Sequence, residues 1–131
     1  GVPVVGYGVE ELPAFYSRSS GLALDLRADN PVEVAELLWA QRKLALSGGL
    51  VVAVPPPEQD ALPGVEMKAA IEQALAQAQV EAVRGKETTP FLLRQMETLT
   101  GGASLRANIA LLENNAQVAA HIAVAIAAAG C

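Results

Sequence analysis

The chain has 131 residues, enough for one domain with a real core or for a piece of a larger one. It carries a formal net charge of −5 with no Lys/Arg cluster, which excludes a protein that tracks a nucleic-acid backbone along a basic stripe. A composition that is 52% hydrophobic, rich in Ala, Val and Leu, excludes disorder, and a single cysteine, Cys131, excludes an internal disulfide, in keeping with a reducing cytoplasm.

Val2 to Tyr7 is a short apolar run before a glycine and predicts a strand buried on both faces. The start shows neither a signal-peptide pattern nor an initiating Met, and reads as the interior of a longer chain. Glu10 to Gly21, broken by Pro13, predicts loop or short helix, and the alternation over Leu22 to Leu26 predicts a second strand. Asn30-Pro31-Val32-Glu33 starts a helix: Asn30 caps it, Pro31 fits the first turn, and Glu33 occupies the capping-box position. That helix is expected to pass Trp39 and end about Leu46, before Ser47-Gly48-Gly49.

Leu50 to Val54 is continuously apolar and β-branched, as a central strand covered on both faces would be; Pro55-Pro56-Pro57 stops it. Glu58 to Pro63 is a loop. A helix follows from Val65 to about Val83, with Met67, Ile71, Leu75 and Ala78 on one stripe. After the loop Gly85-Lys86-Glu87, Thr88 or Thr89 is expected to cap a helix with Pro90 at its first position, ending about Leu99. Gly101-Gly102-Ala103 makes a turn, and Ser104 is expected to cap the last helix, with Leu105, Ile109, Leu112, Ala116 and Ala119 in phase. Its apolar run from Ala116 to Ala129 is shorter than the ~20 residues a spanning helix needs, and reads as a buried Ala-rich helix. The fold class is therefore α/β, a three-layer α/β/α arrangement with a mixed or parallel sheet, of which about three strands and four helices are present. Three strands are few for so many helices, and an apolar strand such as Leu50 to Val54 wants neighbours on both sides.

Four constellations offer chemistry. Glu58 and Gln59 follow a strand, and ligands of open α/β sheets gather at the carboxyl ends of strands; the pair suits a sugar hydroxyl or a metal-bound water, or simply a solvated loop. Lys86, Glu87 and Thr88 precede a helix start, whose free N–H groups attract anions; equally, Thr88 is a plain cap and Lys86 a solvated cation. Asn108, one turn into the last helix, brings a carboxamide suited to a uracil edge or a ribose hydroxyl, or to a loop carbonyl in the core. Asn114-Asn115 costs helix propensity and points to a packing hydrogen bond with a neighbouring loop. The lone histidine, His121, has no metal-spaced partner, so no metal ligand is assigned within the chain. No Gly-x-Ser-x-Gly elbow and no Walker motif are present.

Gly85-Lys86-Glu87-Thr88-Thr89-Pro90-Phe91-Leu92-Leu93, followed by Leu99-Thr100-Gly101-Gly102-Ala103-Ser104-Leu105-Arg106-Ala107-Asn108-Ile109, resembles the pseudouridine-5'-phosphate glycosidases, the indigoidine synthase A-like family. Pro57-Glu58-Gln59, Asn114-Asn115-Ala116, Leu12-Pro13-Ala14-Phe15 and the opening Gly1 to Tyr7 also match; Ser47 and Val54 stand where that family commonly has Asn. The resemblance implies reversible cleavage of the C–C glycosidic bond of pseudouridine 5'-phosphate to uracil and ribose 5-phosphate. A lysine would form a Schiff base with ring-opened ribose, an acid would assist proton transfer, and an aspartate would hold Mn²⁺. Those three residues belong to N-terminal motifs absent here, so residues 1–131 are expected to be the C-terminal portion of one glycosidase domain, inactive alone. The resemblance places Asn108 at the active site, with Glu58, Gln59, Lys86, Glu87 and Thr88 as substrate-binding candidates, in a cytoplasmic homotrimer that engages neither nucleic acid nor membrane. A non-catalytic α/β partner subunit and an unrelated phosphosugar enzyme are the competing readings.

Overall fold

In a computed structural model, residues 1–130 are described; Cys131 lies outside the described residues. Three strands and four helices follow in the order β1 (Val4–Tyr7), β2 (Leu26–Ala28), α1 (Pro31–Lys43), β3 (Val51–Ala53), α2 (Gly64–Val80), α3 (Thr88–Leu99) and α4 (Ala103–Ala128). All pairings are parallel, in the sheet order β2-β1-β3, so the chain is α/β as its strand and helix alternation predicted. β1 is the central strand: Val5 stands opposite Leu26 and Val52 and is fully buried. Leu50 to Val54, expected in the middle, instead forms an edge, where Val51 is 49% exposed. The alternating segment Leu22–Leu26 does not enter the sheet until its last residue. Leu22 and Leu24 bond antiparallel to Leu12 and Glu10, and the strand begins at Leu26.

The start of α1 is as the sequence dictates. Asn30 Oδ1 accepts from the Val32 and Glu33 amides, and the Glu33 carboxylate accepts from the Asp29 amide and the Asn30 side chain. Its end comes earlier than Leu46. Ala45 takes φ +54°, and the Ala45 and Leu46 amides bond back to Arg42 and Gln41, a Schellman-type closure without glycine. Ala82 closes α2 in the same way, with φ +53°. A left-handed backbone costs a non-glycine residue about 1–2 kcal/mol. Ala45→Gly is therefore expected to raise stability by about 1 kcal/mol, less whatever glycine loses in chain entropy, as measured by urea denaturation.

Two helix starts differ from expectation. A 3-10 turn over Gly85–Glu87 runs directly into α3, so neither Thr88 nor Thr89 is a cap and Pro90 sits in the third position. At α4 the N-cap is Gly102, φ +81°, and Ser104 lies inside the helix, almost wholly buried, with its amide held by Thr100 Oγ1.

Two clusters form the core. Val5, Ala28 and Val34 pack with Tyr7, Leu37, Val52 and Ile122, seating α1 and one point of α4 on the sheet. Tyr16, Met67, Ala74, Met96 and Ala107 join α2, α3 and the start of α4. In α2 the core takes Ala74 in place of the predicted Leu75, which is 42% exposed. α4 corrects two further expectations. It is 26 residues long, with an 18-residue window of mean hydropathy 1.3, so by length and composition alone it could cross a membrane. It is also not buried: its packed side is Ser104, Ala107, Leu111 and Val118, while Leu105, Ile109, Leu112, Ala116 and Ala119 face outward.

Candidate functional site

The site is organised by one strained turn. The Tyr16 amide bonds to the Ala14 carbonyl across Phe15, whose φ is +62°, a γ-type turn with a cost on the order of 1–3 kcal/mol. Bonds to the segment after β3 hold it. The Ser17 hydroxyl donates to the Leu62 carbonyl at 2.9 Å, the Leu62 amide donates to the Tyr16 carbonyl at 2.8 Å, and Arg18 donates to the Pro56 carbonyl at 2.6 Å. From the other side the Asn114 side chain donates to the Pro55 carbonyl at 3.2 Å, the loop contact expected of the Asn114-Asn115 pair. The proline segment is thus clamped between the turn and α4.

Asn108 is half-buried and lines a small cleft of about 110 Å³ with Tyr16, Arg94, Glu97, Ser104 and the apolar side chains of Leu93 and Leu105. The cleft mixes a cation, an anion, two hydroxyls and a carboxamide. Burial pushes the Tyr16 phenol upward, and a hydrogen bond to Ser104 partly offsets this. Tyr16 therefore stays protonated below pH ~10, and its contribution to stability is full there and is lost as pH rises from ~10 through its raised value. A neutral phenol can donate or accept beside Asn108.

The remaining candidates fall elsewhere. Glu58 and Gln59 form an exposed 3-10 turn that, among the described residues, packs on one helix, α4. Lys86 and Glu87 are exposed, Thr88 is half-buried, and among the described helices and strands their turn packs on α3. The structure thus separates the two groups: Asn108 and the Glu58–Gln59 turn share α4, whereas Lys86 to Thr88 stand at the far end of α3. Lys43 lies 4.9 Å over the Trp39 ring and Lys68 lines a separate groove beside Ser17, so neither lysine faces Asn108. The sequence assigned no role to Tyr16, Arg94 or Glu97, and to Ser104 only that of a helix cap. No spacing rule connects residue 16 to residue 104, and only the turn after β1 brings them together. Among the described residues no three of His, Cys, Asp and Glu stand close enough together to hold a metal ion.

The family described as Indigoidine synthase A like protein matches residues 1–125. The chain belongs to this family. A pseudouridine-5'-phosphate glycosidase of Rhodospirillum centenum is 58% identical over 123 residues, which are 94% of this chain and 38% of that protein. One from Lysinibacillus sphaericus is 53% identical over 125 residues, 95% of this chain and 41% of that protein. The chain therefore spans about two fifths of the length of these family members. Among solved structures, a prealnumycin C-glycosynthase in complex with ribulose 5-phosphate superposes with a TM-score of 0.87 at 32% identity, covering 99% of this chain and 43% of that one. An indigoidine synthase A-like protein of Thermotoga maritima gives 0.81 at 39% identity, covering 94% and 40%. The fold is shared with the C-glycosynthase over 99% of this chain.

Proposed function

We propose that this chain forms part of a pseudouridine-5'-phosphate glycosidase, which reversibly breaks the C–C bond between uracil and ribose 5-phosphate. The observation that supports this best is the 58% identity to a glycosidase of that name across 94% of the chain. The ribulose 5-phosphate bound to the structurally similar C-glycosynthase belongs to the same class of pentose phosphate. In this reading Asn108 is a wall of the substrate pocket, where its carboxamide hydrogen-bonds the uracil edge or a ribose hydroxyl. Tyr16 and Ser104 set its surroundings, and the exposed Glu58–Gln59 turn is a second contact. Lys86, Glu87 and Thr88 contribute only if the substrate phosphate reaches the start of α3. The Schiff-base lysine, the proton-transferring acid and the Mn²⁺ aspartate are supplied by sequence outside this chain, so residues 1–131 alone have no glycosidase activity. Mn²⁺, a homotrimer and a cytoplasmic location rest on the resemblance alone.

The test is Asn108→Ala in the complete enzyme. Loss of one well-placed hydrogen bond at the reacting substrate lowers turnover by about 100-fold, while the melting temperature holds because Asn108 is only half-buried. Wild-type turnover would remove Asn108 from the pocket. The competing reading, a non-catalytic partner subunit, predicts that no assembled form containing these residues releases uracil.

A further inference from the structure

α4 has two apolar sides, and only one of them is used. At 100° per residue, Ser104, Ala107, Leu111 and Val118 cluster on the packed side, whereas Leu105, Ile109, Leu112, Ala116, Ala119 and Ala123 fall within an arc of about 80° turned well away from it. Leu105, Ile109 and Leu112 are 44%, 50% and 60% exposed, and the stripe carries no charge over a length of about 30 Å. An uncharged stripe this long on a free helix signals a docking surface. Its gradient from Leu and Ile to Ala allows close backbone approach at the C-terminal half.

β3 shows the same incompleteness. Its β-branched residues pair with β1 on one side only, and its outer edge presents unpaired backbone groups. Parallel strands occur almost only within sheets covered on both faces. A covering partner must therefore supply strands as well as an apolar helix face. The 123 residues matched in the Rhodospirillum centenum protein are 38% of it, which leaves about 200 residues of that relative outside the match, ample for both. The C-glycosynthase likewise embeds this whole arrangement in a chain of which it is 43%.

We infer that the outer stripe of α4 and the free edge of β3 are covered together by one polypeptide segment, homologous to the three fifths of these relatives that this chain does not span. The inference rests on family membership and not on the catalytic proposal, and its test reads melting and amide exchange without substrate. A chimera replaces the matched segment of the Rhodospirillum centenum protein with this chain. In the chimera, exchange at 105–123 is expected to slow at least tenfold relative to the isolated chain. Ala116→Glu is expected to lower the chimera's melting temperature by about 4 °C or more while leaving that of the isolated chain unchanged, because the new carboxylate is buried in one and solvated in the other. A chimera indifferent to Ala116→Glu overturns the inference, as does a chimera that fails to fold around a chain that folds alone. Two results reassign the stripe instead: a concentration-dependent oligomer of the isolated chain abolished by Ala116→Glu gives it to a second copy, and sedimentation with phosphatidylcholine vesicles abolished by the same change gives it to a bilayer.

Discussion

Gly6→Ala is expected to prevent the chain from folding, or to cost about 3 kcal/mol or more in urea denaturation. A Cβ built on Gly6 would lie 2.1 Å from the Val9 carbonyl oxygen and 3.0 Å from Leu24 Cδ1. The first obstacle is backbone, and it cannot swing aside as a side chain would. Gly6 is in the middle of β1, hydrogen-bonded into both neighbouring strands opposite Arg27 and Ala53. Moving it means moving the centre of the sheet. Overpacking ordinarily costs about 1–3 kcal/mol, and a backbone obstacle lies at or above the top of that range. Gly8 serves as the control: its φ of +67° makes Gly8→Ala strained, but nothing lies within 4 Å, so it costs less. Equal losses at the two positions would show that conformational strain, and not the Val9 approach, governs the turn.

Met96→Ala is the second large effect, expected at about 3 kcal/mol. Met96 is 2% exposed and touches the cluster formed by Tyr16, Met67, Ala74 and Ala107, where the strained turn, α2, α3 and α4 meet. Truncation removes apolar contact from all four at once and leaves a cavity that the γ-type turn cannot relax to fill. Because Tyr16 also borders the Asn108 cleft, the same variant in the complete enzyme is expected to lower turnover as well as stability. Leu112→Ala on the isolated chain provides the contrast. Its side chain is 60% exposed, and the melting midpoint should barely move. A large loss there would mean that the outer stripe of α4 is already packed.

Much of this was legible in the residues. Asn30, Pro31 and Glu33 announce α1 because a helix start is a local problem, solved by side chains within three residues of the orphan amides. The motif run from Gly85 to Ile109 pointed to its family for a related reason, since a short run of glycines and polar groups at fixed spacing has few alternative uses. The hydrogen bond from Asn114 to the Pro55 carbonyl was anticipated from the cost of two asparagines inside a helix.

What the residues misjudged were matters of which side and which neighbour. The stripe Leu105, Ile109, Leu112, Ala116 and Ala119 has the period of a buried face, but α4 is apolar on two sides and periodicity cannot say which one meets α1 and α3. Leu50 to Val54 has the composition of a central strand and stands at an edge, because composition records the environment of the completed sheet rather than of this piece. Ala45 closes α1 ahead of the expected Gly48-Gly49, and Ala82 closes α2 in the same way, since hydrogen-bonded closure outweighs the cost of one left-handed alanine. The sequence by itself determined the class of fold, the family, and Asn108 as the residue to examine. Only the tertiary structure decided that Tyr16, Ser104, Arg94 and Glu97 surround Asn108 while Lys86 to Thr88 stand apart, because a cleft joins residues distant along the chain, and their proximity is fixed by the packing of turn, helix and sheet.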